Sequence, residues 1–229
     1  TSNSVTTNQL AEATGDVALP MSAVRDKLQF MFNNLDYSKM NKFASMIKDL
    51  LDNKCYYSPI ANYFTKRAIA EANHHRLFFD FLGVINLTEL FNSIIKTTYC
   101  EIAVLFRNEM EKKHLKSAGG WLGLMTLARN KPILTIHLDL RNLLLQAFHK
   151  GVQQLLIVVP FVAKVILGCA DSKIFKPPNP WTVSLINLLA EIYFAEDIVL
   201  NLKFEIELLC TSLSIDINDY RGQSNLLQN

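Results

Sequence analysis

Eight glycines and seven prolines are few for a chain of 229 residues, and the apolar/polar alternation that marks a half-buried strand is scarce. So little turn chemistry, beside plentiful Leu, Phe, Ile and Lys, favours helices over sheets. No charge of one sign prevails. The 23 Lys and Arg stand against 21 Asp and Glu, a net charge of +2, which gives little drive toward a polyanion. A membrane span needs roughly 20 apolar residues, and the most apolar stretch, Leu155–Leu167, holds Pro160 and Lys164, so it reads as a buried core helix. Cys55, Cys100, Cys169 and Cys210 lie far apart with no C-x-x-C pair, each inside an apolar helical pattern. They read as buried free thiols in a reducing compartment. The sequence opens on no secretory signal.

Catalytic and ligand motifs are lacking too. A phosphate cradle needs a Gly-rich loop between strand and helix; the one Gly cluster, GGWLG at Gly119–Gly123, has no downstream Lys-Ser/Thr and reads as a helix start where two backbones approach closely. His74 and His75 are adjacent, so on a helix they point about 100° apart and cannot share one ion; capping or exposure explains them better than metal ligation. Glu205 and Glu207 face different sides of their helix and form no acid/base pair. Neither a nucleophile elbow nor a Cys/His/Asn signature is legible. No metal, cofactor or catalytic residue is expected.

Half of the residues are apolar, ample for one sizeable core. The first 18 residues, rich in Thr, Ser and Asn, read as a flexible leader. Residues 19–219 read as a single all-α domain of about ten helices, and 220–229 as a C-terminal tail. Val24, Leu28, Met31, Phe32 and Leu35 form one stripe, and Met40, Phe43, Ile47, Leu50 and Leu51 the next. Ser58 and Pro59 suit the start of a helix through Ile60, Phe64 and Ile69, and Asn73 the cap of another through Leu77, Phe78, Phe81 and Leu82. A longer helix is expected from Thr88 to Lys113, its basic run KKHLK facing the negative end of the helix dipole. WLGLMTLARN then opens a new segment, followed by an irregular stretch at 132–138. Asp139 caps the next helix, Gly151 separates it from an apolar one, and Pro160 implies a kink or early turn there. In KPPNPWT, Lys176–Thr182, the prolines must break the chain, with Asn179 as cap and Pro180 at the first helical position. The last helices run over Trp181–Phe194 and Val199–Leu213. Antiparallel helices joined by short loops make a helical-repeat, HEAT-like array, whose natural use is to hold other proteins.

Arg129, Asn130 and Lys131 end one helix, and Asn201 and Lys203 open the last. Each set reads either as a solvated terminus or as a partner edge, Arg being enriched at interface hot spots. Trp181 either packs back on the preceding turn or offers a contact. Lys112, Lys113 and Lys116 read as a solvated face.

KPPNPWT, LLAEIY, NLKFEIE, GGWLGLMTLARN and YFTKRAIAEANHHRLFFDFLGVIN together resemble the NOT scaffold family, the large subunit of the Ccr-Not deadenylase complex. The resemblance, from Leu19 to Asp219, is to that scaffold's central helical module, akin to the middle domain of eukaryotic translation initiation factor four-gamma. Ala72 stands where the family pattern has a proline, and Ala128 where a glycine is common. The resemblance implies a non-catalytic adaptor that docks a Caf/Pop-type DEDD poly(A) exonuclease and binds and stimulates a Dhh-type DEAD-box RNA helicase. It would thereby link deadenylation to translational repression and mRNA decay, in the cytoplasm and also the nucleus. It further implies other Ccr-Not subunits as partners through the rest of the scaffold, no membrane contact, and nucleic acid only indirectly. Asn73, His75, Arg129, Asn130, Asn201 and Lys203 are the expected helicase face; Pro178, Trp181 and the helix after them are the expected exonuclease site. The alternatives are an RNA-binding helical module, which would need a basic track and aromatic platforms, a purely structural spacer, and an enzyme whose ionisable residues converge only in three dimensions.

Overall fold

The computed structural model describes residues 19, 21–108, 112–225 and 227; the expected leader lies outside them. The described residues hold ten α-helices and no strand, as the all-α, helical-repeat reading requires. The chain divides into two compact units after Asn34. In the first, α1 (Met21–Asn33) buries Val24, Leu28, Met31 and Phe32.

The second unit, from Leu35 onward, contains α2 (Met40–Leu51), α3 (Tyr57–Ala70), α4 (His75–Ile85), α5 (Thr88–Arg107), α6 (Lys112–Met125), α7 (Leu140–Lys150), α8 (Val152–Leu167), α9 (Pro180–Phe194) and α10 (Leu200–Leu213). They form two layers. The even-numbered helices pack in sequence, α2 on α4, α4 on α6, α6 on α8 and α8 on α10, while α3 packs on α5 and α7 on α9. The layers meet where α5 lies on α6, α7 on α8 and α9 on α10. The predicted stripes supply the core: Met40, Phe43, Ile47, Leu50 and Leu51 of α2 are all buried, as are Ile60, Phe64 and Ile69 of α3.

Local chemistry sets several boundaries. Asp139 accepts from the Asn142 amide at 2.9 Å and caps α7. Asn179 accepts from Trp181 N–H at 2.9 Å, with Pro180 opening α9. Asn86 and Ser214, both in the left-handed region, close α4 and α10.

Other boundaries differ from expectation. α5 stops at Arg107, and Asn108 is extended. Between Phe106 and Leu115 the sequence has one apolar residue, Met110, too little to hold a continuing helix on the core. The basic run therefore opens α6, and Gly119 and Gly120 sit inside that helix rather than at the start of one. α8 runs through Pro160 to Leu167 without turning there. Val152–Asp171 has the length and apolarity of a membrane span, yet Leu155, Val158, Val159, Phe161, Val162, Val165 and Ile166 are buried in the protein core. A 3₁₀ turn at Lys54–Tyr56, capped by Asn53, runs straight into α3, so Ser58 and Pro59 occupy its first turn and Tyr56 the cap position. Another 3₁₀ turn, Ala72–His74, precedes α4; Asn73 lies within it and caps nothing.

Cys169 and Cys210 are buried, and burial raises both thiols to about 11. Cys55 and Cys100 are exposed, against expectation. Cys100 is turned away from the Ile94, Thr98, Ile102 and Leu105 stripe of α5 that faces the core, and Cys55 sits in a surface turn.

The seam between α6 and α8 is unusually close. A Cβ on Gly119 would stand 2.7 Å from the Phe161 carbonyl oxygen, and one on Gly123 only 2.3 Å from that of Val165. A Cβ on Gly168, just past α8, would meet the Gly123 carbonyl at 2.3 Å. Gly168 has an ordinary helical φ of −59°, so space and not conformational freedom demands glycine. The expected close backbone approach is present, but along a helix interior.

Candidate functional site

On the even-numbered layer, the Ala72–His74 turn, the start of α4, α6 and α8 enclose a groove of about 540 Å³. His75 anchors one wall. Its Nε2 lies 2.8 Å from the Ala68 carbonyl oxygen, which as an acceptor requires the proton on Nε2, and its ring packs on buried Trp121 with centroids 5.5 Å apart. Burial holds this imidazole below its usual pKa; nearby Lys164 pushes the same way, and the Ala68 hydrogen bond opposes them. Lys113, Lys116, Ser117, Gly120 and Leu124 bring α6 to the groove, and Lys164 and Leu167 bring α8. Successive i, i+3 or i+4 positions place these side chains on one flank of α6. Lys116 pairs with Glu205 of α10, and Arg76 with Asp80 at 3.1 Å. Half-buried Lys164 has no ion-pair partner among the described residues.

The same face continues between α8 and α10. Lys164 and Leu167 also border a smaller groove with Glu205 and Leu208, and Glu205 borders a third with Leu156, Pro160, Asn201 and Phe204. Leu200, Phe204 and Leu208, spaced i, i+4, i+8 along α10, are each more than half exposed. A row of large apolar side chains on one helix flank is a surface that a partner could cover.

At another place, Arg129 lays its guanidinium over the Phe91 ring at 3.7 Å. Asn130 adopts φ of 59°, and its Oδ1 accepts from the Ser172 hydroxyl at 3.0 Å, Lys173 N–H at 2.8 Å and Ile174 N–H at 3.2 Å. One side-chain oxygen thus ties the end of the α6 segment to the loop before α9. That loop is held again by Thr182, whose hydroxyl donates to the Phe175 carbonyl at 2.6 Å. Exposed Ile174 and Pro178 project from it, while half-buried Trp181 packs edge-on against Phe175 at 5.8 Å.

The structure therefore joins Asn73 and His75 in one groove and sets Asn201 on the same face of the layer. Lys203 is turned toward α9, with its ammonium 5.5 Å from the centre of the Tyr193 ring. The side-chain oxygen of Asn130 and the guanidinium of Arg129 are already engaged within the chain. His75 is neither exposed nor a side-chain cap, whereas His74 is exposed and pairs with Glu71 at 3.2 Å. Lys113 and Lys116 line a groove rather than a plain solvated face. The sequence signal for this was the polar and small row Lys113, Lys116, Ser117 and Gly120, continued by Leu124, read at helical spacing. Glu205 and Glu207 do diverge, Glu205 pairing with Lys116 and Glu207 accepting from the Tyr193 hydroxyl at 2.6 Å. No cluster of three potential metal ligands occurs among the described residues.

Residues 16–229 match the sequence profile of the CCR4-NOT transcription complex subunit 1 CAF1-binding domain. The chain belongs to this family. Its relatives include CCR4-NOT transcription complex subunit let-711 of Caenorhabditis elegans, 38% identical over 217 residues, covering 89% of this chain and 8% of the relative. General negative regulator of transcription subunit 1 of Schizosaccharomyces pombe is 38% identical over 206 residues, covering 86% and 10%. Its namesake in Saccharomyces cerevisiae is 36% identical over 198 residues, covering 84% and 9%. The chain thus spans a tenth or less of the curated relatives' length. These findings agree with the resemblance to the NOT scaffold, and they make this CAF1-binding domain a non-catalytic binding module.

Proposed function

We propose that this domain is the part of a Ccr-Not scaffold that docks a CAF1-type poly(A) exonuclease. The observation that carries this reading is the family match across nearly the whole chain. A two-layered helical array with a loop fixed by Asn130 and Thr182 supports it physically, because a pre-ordered surface loses little conformational freedom on binding. The proposed contact is the exposed Ile174 and Pro178 edge beside Trp181 and α9.

The same domain binds a Dhh-type DEAD-box helicase across the even-numbered layer, where Asn73, His75 and Asn201 lie, with Arg129 and Lys203 at other places on the surface. Stimulation needs no catalytic residue here. An array that binds the closed arrangement of the helicase lobes better than the open one by about 1.4 kcal/mol shifts their populations tenfold. Deadenylation would thereby be linked to translational repression and decay in the cytoplasm, with a nuclear pool.

Size-exclusion co-migration with a purified CAF1-type exonuclease tests the first reading. Stable co-migration is expected, lost in the double variant Ile174→Asp, Pro178→Ala with unchanged Tm. If the variant still co-migrates, the docking edge lies elsewhere on the domain; if the wild type fails, the reading falls. A rise in helicase ATPase on adding the domain tests the second, and unchanged turnover would remove stimulation.

A further inference from the structure

The net charge of +2 conceals a division along the chain. Residues 112–176 hold ten Lys and Arg against two acids, whereas residues 177–229 hold two against seven. Fields between exposed charges fade over about 8 Å at physiological salt, so a polyanion meets the local set and not the total. Part of the basic excess is gathered on the loops that follow α6 and α8. Exposed Lys131 comes directly after Asn130, whose Oδ1 accepts from Lys173 N–H at 2.8 Å, so the fold holds exposed Lys173 on the loop beside it. Exposed Lys176 lies on the same loop, its carbonyl accepting from Asn179 N–H at 3.1 Å. α7 packs on α8 and joins it through Gly151 alone, so the pair is antiparallel and α7, with exposed Arg141 in its first turn, begins toward the end of α8. None of these four cations belongs to an ion pair among the described residues. Folding alone does not favour the arrangement, because like charges repel and a cation in the first turn of a helix opposes its dipole.

We propose that this loop edge, with Lys131, Arg141, Lys173 and Lys176, binds the phosphate backbone of single-stranded RNA. The charges are dispersed over two loops and a helix start, which suits a linear polyanion bearing one charge at every step better than a single small anion. Three of the four are Lys, point charges on flexible stems that follow a backbone without the bidentate geometry by which Arg selects a carboxylate. Phe175 and Trp181, the aromatic rings of this loop and the helix after it, are half-buried against each other. They leave no open platform for a base, so the edge grips the backbone and does not read base order. Lys173 and Lys176 alternate with exposed Ile174 and Pro178, the proposed exonuclease edge, and RNA held here would lie against the docked enzyme. That this RNA is the tail being shortened rests on the exonuclease reading; the phosphate contact rests on the cations alone.

Fluorescence anisotropy tests the site, with the whole chain titrated into fluorescein-labelled oligo(A) of about 20 nucleotides. A Kd of about 10–100 µM is expected at about 50 mM salt, rising with ionic strength at a log–log slope of about 0.7 per phosphate contacted. The double variant Lys131→Glu, Lys173→Glu should weaken binding more than about tenfold with unchanged Tm, and Lys176→Ala should lower the slope by about 0.7. Lys113→Glu, on the groove and away from this edge, should leave the affinity within about twofold. No binding up to about 1 mM protein, a flat salt response, or an equal loss in Lys113→Glu would overturn the proposal. So would an oligoglutamate of equal charge displacing oligo(A) at equal concentration, which would make the edge a site for an acidic protein. Exonuclease co-migration is measured without RNA. Its failure would remove the tail as the ligand and leave the phosphate contact standing, whereas failed anisotropy leaves the docking standing.

Discussion

The two flanks of α6 use the same residue for opposite ends. Toward α8, Gly119 and Gly123 bring backbone against backbone, with 2.7 and 2.3 Å to the carbonyl oxygens their Cβ atoms would strike. Toward the groove, Gly120 leaves open space, and a Cβ there would meet only the His75 ring at 3.5 Å. One flank is closed to any added atom and the other is poised to receive one. What a glycine means is settled by what faces it, since all three lie in the same helix and none has a positive φ.

Substitution should separate the flanks most sharply at the seam. In an exposed helix Gly→Ala stabilises by up to about 1 kcal/mol; Gly123→Ala should instead destabilise by about 3 kcal/mol or more, because neither backbone can yield cheaply. Gly119→Ala should cost less, about 2 kcal/mol, as part of its clash is with the Phe161 ring. Urea unfolding of both reads this directly, and a neutral Gly123→Ala would show that the helices can separate without loss.

On the groove flank the effect is a pH slope. His75 is held below its ordinary value of 6.5 chiefly by burial, so the unfolded chain binds its proton first. The stability contributed by the neutral ring is complete above pH 6.5 and is lost as pH falls through the lower, folded value. The groups facing the ring are Lys164, Ser117, Trp121 and the Ala68 carbonyl. Thermal melts should show a decline on acidification below pH 6.5 that is shallower in His75→Gln; parallel profiles would mean that the ring is freely hydrated. Smallest of all, Gly120→Ala should leave stability unchanged or raise it by less than about 1 kcal/mol. A large loss there would erase the contrast between the flanks.

How much of this was legible depended on whether the cause was local. Asp139 and Asn179 were readable as caps because a cap needs only its own side chain and the next few amides. The α2 and α3 stripes were readable because a single period governs them. The break after Arg107 was missed because the segment from Phe106 to Leu115 has good helix formers but almost nothing to bury. Asn130 looked like an interface residue, being polar at a helix end, whereas its three donors come from a loop more than forty positions away. The groove was illegible for the same reason. Asn73 was singled out as a cap and a partner contact, but nothing in sequence joined it to Lys113 and Lys164, and the three share one lining only when the turn before α4, α6 and α8 stack.

Gly123 and Gly168 also constrain the history this chain can have. Where the would-be Cβ of one residue lies on the carbonyl of the other, no third residue can be trimmed to make room, as a neighbouring leucine could be for an enlarged core side chain. Single nucleotide changes at either codon therefore lead to no compensated state nearby, and the two positions should drift through descendant sequences as a fixed pair while the lysines a turn away on α6 are free to vary with whatever they meet.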